Sequence, residues 1–407
     1  MRWFWFATFT LICSLLSLFF KQPLLLIGEI FLIDIFLTQK IKWFFWLPKT
    51  LKRFPSWLNL LCWLTFTIWI IRLLAIDSIT VVSVAGKPQL RPGDNVLISK
   101  IYFGPRLPGI SPDKGNPFFR LSGIPGISSI KRGDFLAYNF PEGDSILEDL
   151  ASISYYSWKR KNELENIALP NKEKIKYRSI NRRSPEISRC IGLPGDTVQI
   201  PSSEGQSLLL TYDYLVELKN EQLPMDLLNT LGLGASEIQI IPGLGYLVPL
   251  RAEQLAMVRI RPEVTAMTAH LLEAERGDYN IFPHDARYPW NRDNFGPVIV
   301  PRKGDSIRLT LLNLCIYQRI IEVYESNRLE IHNDQIFING LPAGSYTFKQ
   351  DYFFVLGDNR HHSRDSRHWG FLPENHIIGK PLLIWFSASK GPDKPLRIYW
   401  NRILNRL

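Results

Sequence analysis

The side chains best able to do chemistry crowd into one stretch, Gly357-Asp358-Asn359-Arg360, followed by Ser363, Asp365-Ser366-Arg367, Trp369-Gly370, Pro373 and Gly379-Lys380. Asp365 and Arg367 stand two residues apart, where a planar guanidinium–carboxylate fork can tie a loop to its scaffold. Ser363 adds a hydroxyl, which becomes a nucleophile only beside a base that takes its proton. His361, His362 and His368 share the stretch and read as surface residues. No CxxC and no Cys/His cluster marks a zinc site, and no cofactor is expected.

Three blocks precede this one. They are Ala85-Gly86-Lys87-Pro88-Gln89-Leu90-Arg91-Pro92-Gly93-Asp94, then Lys131-Arg132-Gly133-Asp134 through Asn139-Phe140-Pro141, then Arg189-Cys190-Ile191-Gly192-Leu193-Pro194-Gly195-Asp196. Taken singly, each reads as an ordinary turn. Four together, in order and after a membrane anchor, do not.

Strands must hold these blocks. Gly93-Asp94, Gly133-Asp134, Gly195-Asp196 and Gly304-Asp305 each come just before a short apolar or alternating run. Gly meets the positive φ of a tight turn and Asp bonds nearby backbone, so each pair marks a strand start. From Asp77 onward the chain reads as mainly β. Two stretches interrupt it. Residues 142–176 are charge-rich, with Lys159-Arg160-Lys161, and read as a solvated helix or loop. Residues 205–280 carry helical stretches such as Leu250 to Val258 and read as an inserted cap.

Residues 1–76 are far richer in Trp, Phe, Leu and Ile than the rest of the 407. Trp3 to Phe20 is an uncharged apolar run, long enough to span a bilayer core, and no small-residue cleavage site follows it. Leu24 to Leu37 is shorter and carries Glu29 and Asp34, and whether it spans stays open. Trp57 to Ile76 is again long enough. The loop at 39–54 holds Lys40, Lys42, Lys49, Lys52 and Arg53 with no acidic residue, which places it in the cytoplasm and everything after Ile76 outside. The net charge of +10 lies partly beside these segments and reports topology, not nucleic acid. Four cysteines make no disulfide framework, and pairing of Cys190 with Cys315 stays open. The basic tail, 391–407, reads as frayed sooner than lipid-bound.

On the four blocks, and on Trp290-Asn291-Arg292-Asp293-Asn294-Phe295-Gly296-Pro297, the chain resembles the bacterial type I signal peptidases (leader peptidases). These are membrane-bound serine proteases that remove secretory signal sequences. The resemblance covers residues 77–390 outside much of both insertions. It implies a mainly β, antiparallel signal-peptidase-type fold on two or three N-terminal transmembrane segments in the inner (plasma) membrane, with inserted helical segments. The family uses a Ser nucleophile and a Lys general base. Aligned on Pro88 and Leu90, the nucleophile falls on Ala85, and the base falls on Ser188. Arg189 cannot replace it, because guanidinium stays protonated in proteins. Ser83 matches a serine that helps form the oxyanion hole and is the fallback nucleophile. Ser363 matches the serine that orients the lysine, and Asp365 and Arg367 match a structural ion pair.

The resemblance therefore implies a signal-peptidase-I-like membrane protein of the secretion pathway with impaired or no proteolysis. Its expected partners are membrane lipid and signal peptides of secreted preproteins or an active signal peptidase, not nucleic acid. One alternative is an active signal peptidase working through Ser83. Another is a purely structural membrane protein without a peptide groove.

Overall fold

The computed structural model describes residues 75–82, 89–104, 106–108, 118–120, 126–147, 154–164, 175–201, 211–219, 223–234, 237–389 and 396–407, together with Thr65, Ile68 and Arg72. Ser83, Ala85, the loop at 39–54 and the apolar runs from Trp3 and Leu24 lie outside the described residues, as does most of the run from Trp57. No helix among the described residues is long and apolar enough to cross a membrane.

In chain order the first strands are β1 (Ile76–Thr80), β2 (Asp94–Ser99), β3 (Phe135–Asn139), β4 (Pro185–Gly192) and β5 (Thr197–Ile200), with helix α1 (Tyr155–Leu164) between β3 and β4. Next come β6 (Thr211–Leu218), α2 (Met225–Leu231), β7 (Gln239–Ile241), β8 (Gly245–Arg251), α3 (Ala252–Arg259) and β9 (Val264–Ala269). After β10 (Phe295–Ile299) and β11 (Ser306–Arg308), the chain returns through β12 (Tyr352–Leu356), α4 (Ser366–Trp369), β13 (Leu372–Pro373), β14 (Ile377–Ser389) and β15 (Arg397–Ile398).

The main sheet has the order β1-β2-β14-β3-β4-β12-β13, with β15 added beside β14, and its pairs are antiparallel. β14 is the keystone. One half pairs β2, from Asp94↔Ser387 to Ser99↔Lys380, and the other meets β3 at Ile377↔Tyr138 and Gly379↔Ala137. Two buried clusters flank this junction. Val96, Ile98, Phe135, Ala137 and Ile384 form one, and Leu136, Tyr138, Cys190, Val355 and Trp369 form the other. Alternating strand faces explain the division: neighbours Phe135 and Leu136 point into different clusters.

The Gly-Asp pairs open strands as expected, at β2, β3, β5 and β11. Gly93 and Gly133 adopt φ of 96° and 90°, which a side chain resists. The aspartates close the turns from the other side. Asp94, Asp134 and Asp196 each accept a hydrogen bond from the backbone N–H three residues earlier, at Arg91, Lys131 and Leu193, over 2.8, 2.9 and 2.8 Å.

Three expectations need correction. Among the described residues of 205–280 the expected helical stretches are present as α2 and α3, but they pack on an unexpected four-stranded sheet, β7-β8-β6-β9. Leu250, read as helical, lies in β8 and is fully buried; the helix starts at Ala252. Residues 142–147 are buried except half-buried Asp144, not solvated. Glu142 is 3% exposed and takes a two-pronged ion pair from Arg160 of α1 at 2.7 and 2.8 Å. Residues 396–407 of the tail are docked, not frayed. Arg402 reaches buried Asp94 at 2.6 and 3.1 Å, and Leu404 and Leu407 donate to the backbone of β14. A basic tail finds its partner here because Asp94 is a buried carboxylate that requires a cation.

Candidate functional site

Arg189 on β4 is where the four sequence blocks meet. Its Nε and Nη2 donate to the two oxygens of Asp358 at 2.9 and 2.7 Å, and Asp358 is only 1% exposed. Nη1 donates to the Gly133 carbonyl at 2.8 Å, and Nη2 also reaches Gln89 Oε1 at 3.5 Å. The guanidinium lies 4.1 Å from the centre of the Phe135 ring. One planar cation thus gathers a residue from each block. Two further ion pairs tie the same turns together: Arg132 with Asp196 at 2.7 Å, and Lys380 with Asp134 at 2.7 Å.

The loop that follows Asp358 is built around Asp365 and Arg367. Arg367 donates through Nε and Nη2 to the two carboxylate oxygens at 2.9 and 2.8 Å, and both side chains are buried. Asp365 also accepts from the backbone N–H of Gly357 and caps the short α4 by accepting from Arg367 N. Burial alone would raise the Asp365 carboxyl, but the adjacent Arg367 charge and its hydrogen bonds hold it at about 2. The remaining Arg367 donors bond the carbonyls of Arg292 and Arg360 at 2.7 and 2.6 Å. The fork expected from residue spacing is therefore present, and it fixes three segments at once. Trp369 then plugs the loop into the core, 5.8 Å from the Tyr138 ring.

Ser188 occupies a buried position on β4, opposite Leu136 of β3. Its Oγ lies 3.0 Å from the Tyr138 hydroxyl, which is also buried. Burial pushes the Tyr138 hydroxyl well above its ordinary value. The pair is thus two neutral hydroxyls at physiological pH, and neither accepts a proton as an amine does. Glu186 hydrogen-bonds the Tyr138 hydroxyl; burial pushes its carboxyl up, while Arg364 pairs with it at 3.3 Å. Ser363 Oγ is buried and has no hydrogen-bond partner among the described residues.

The histidines divide. His362 is exposed, but the His361 ring is fully buried between Asp213 and Asp293, contrary to a surface reading. Two carboxylates 80 positions apart in sequence, 213 and 293, left no local pattern to announce that contact. Burial drives His368 down to about 4. Cys190 and Cys315 are both free thiols. No group of three or more His, Cys, Asp or Glu among the described residues is arranged to hold a metal ion. Sequence reading missed the gathering role of Arg189. Its one available signal was that every block carries a polar side chain beside a Gly-Asp turn.

An antiparallel β scaffold whose sequence blocks are gathered by one arginine beside a buried ion-pair loop is the class of protein seen here. The chain belongs to the family described as "Signal peptidase, peptidase S26", whose model matches residues 55–208 and 273–386. The gap in that match contains the whole β6–β9 sheet. A signal peptidase I from Buchnera aphidicola (subsp. Baizongia pistaciae) is 36% identical over 108 residues, 25% of this chain and 35% of its own length. A probable signal peptidase I-1 from Synechocystis is 57% identical over 131 residues, 28% of this chain and 66% of its own. A probable signal peptidase I-2 from Synechocystis is 28% identical over 150 residues, 36% of this chain and 63% of its own. The chain spans 35%, 20% and 24% of the length of three Buchnera relatives that it matches.

Proposed function

We propose that this chain is a signal-peptidase-like membrane protein whose proteolysis is impaired or lost, and that it holds extended, signal-peptide-like segments at the external membrane face. The observation that carries the reading is the Ser188–Tyr138 contact at 3.0 Å, which puts a hydroxyl and no amine where the family places its lysine. Acyl transfer from a peptide bond to serine needs a group that removes the hydroxyl proton as attack begins. Ala85 offers no hydroxyl, and Ser188 offers no amine. Binding makes no such demand. An extended peptide can pair with a strand edge through its backbone, with side-chain pockets setting preference. The Arg189 and Arg367 assemblies keep the scaffold in place without chemistry. Membrane anchorage through residues 1–76 and an external domain rest on the apolar runs and the basic loop at 39–54.

The test is incubation of the purified full-length protein, in detergent, with a secretory precursor. No cleavage product is expected. Cleavage that disappears in Ser83→Ala would establish the active alternative with a displaced nucleophile. Retained binding of an uncleaved precursor supports the proposal, and loss of both cleavage and binding supports the purely structural alternative.

A further inference from the structure

His361 sits where its own loop, β6 and the 290–297 segment meet. Nε2 lies 2.9 Å from Asp293 Oδ1, and Nδ1 lies 3.1 Å from Asp213 Oδ2. The backbone N–H of Asp213 also points at Nδ1, again over 3.1 Å. One nitrogen therefore faces two partners with opposite demands. The carboxylate needs a proton on Nδ1, and the amide needs a lone pair there.

The groups facing the ring come from each element packed on it. From β6 come Asp213 and Tyr212, the latter edge-on with ring centres 5.7 Å apart. From the 290–297 segment come Asp293 and the charge of Arg292. From its own loop comes His362, whose Nε2 is 3.1 Å from Asp213 Oδ1. Asp213 and Asp293 are buried, at 5% and 4% exposure, so each depends on a cation or donor close by.

We propose that His361 is a proton-operated latch between the inserted β6–β9 sheet and the Gly357–Gly370 loop. As imidazolium it clasps Asp213 and Asp293 together. On losing the Nδ1 proton it keeps Asp293 through Nε2, turns its lone pair to the Asp213 amide, and releases the Asp213 carboxylate. Oδ1 keeps His362, but Oδ2 then lies buried against a lone pair, and β6 loosens. The backbone bonds of Thr211 with Asp358 and Arg360, at 2.9 and 3.0 Å, keep the strand attached at its start. The loosening therefore runs from Asp213 towards Leu218.

Burial works against charge on His361, but its bonds to Asp213 and Asp293 outweigh this and raise it above the ordinary value. A pKa raised in the folded state gives stability that is full below the unfolded value, about 6.5, and is lost as pH rises through the folded value. The latch is thus closed in mild acid and opens towards alkaline pH. It stands apart from the peptide-binding reading, and its test involves no peptide.

Hydrogen–deuterium exchange of the full chain in detergent reads the latch directly, as protection factors corrected for the intrinsic pH dependence of exchange. Between about pH 6 and pH 9, protection over residues 213–218 should fall about tenfold or more while β3 and β4 stay constant. His361→Gln should show low protection at both ends. A flat wild-type profile, or a wild-type slope retained in His361→Gln, overturns the proposal. Should His361→Gln fail to fold, Asp293→Asn keeps the ring and removes one carboxylate, so its loss of protection should shift to lower pH. An unmoved midpoint overturns the latch equally.

Discussion

At the scale of single residues, the question is whether the site has lost two side chains or its whole geometry. Arg189, Asp358, Asp365 and Arg367 are buried or nearly so and fully engaged, which argues for a standing frame. Ser363 Oγ, without a partner among the described residues, is an available hydroxyl for a restored amine. Ala85→Ser combined with Ser188→Lys should therefore recover measurable precursor cleavage, while neither single change should. The members of such a unit are worth about 10⁴ to 10⁶ in rate and do not add. Recovery should be partial, because Gly86 and Gln89 also depart from the family pattern and a misplacement of about 1 Å costs roughly 10². Displacing the Ser188–Tyr138 contact with a lysine also buries an amine, which lowers its pKa towards the range a base requires. Precursor cleavage by wild type, both single variants and the double variant decides it. A folded but inert double variant would show that the frame has drifted.

At the scale of elements, the junction of β2, β14 and β3 carries the sheet. A Cβ on Gly379 would collide with the Ser99 carbonyl oxygen and come within 2.9 Å of Ile98 Cγ2. Gly133 meets nothing within 4 Å, so its substitution meets only the strain of a positive φ. Gly379→Ala should cost about 3 kcal/mol through forced strand separation, and Gly133→Ala about 1–2 kcal/mol. Urea midpoints of the two variants would check the order, and a reversed order would refute the keystone role of β14. The starts of β2, β3, β5 and β11 were legible because each Gly-Asp turn is a local device, complete within four residues. The β6–β9 sheet was not. Its strands pair with one another across α2 and α3, and Leu250 carries the same apolar signal in strand or helix. The Asp365–Arg367 fork was legible from two residues; the Arg189 hub was not, because its partners lie up to 169 residues away.

At the scale of the whole molecule, the proposed arrangement is an external β domain beneath which residues 39–54 face the cytoplasm. Alkaline phosphatase joined after Asp77 should be active, and joined near Lys49 inactive. The opposite pattern would invert the topology. The placement of β14 has a consequence for how such a domain is made. Ser387 bonds Asp94 across 293 residues, and β14 separates β2 from β3 in the finished sheet. While the chain emerges in order, β2 and β3 wait without their common neighbour, each with an open edge of unpaired amides and carbonyls. Contacts this distant in sequence also slow closure, since the intervening chain must be ordered before they form. If the domain is exported as proposed, that delay keeps the segment threadable during its passage. It also leaves the domain most vulnerable to quality-control proteases in the interval before β14 arrives.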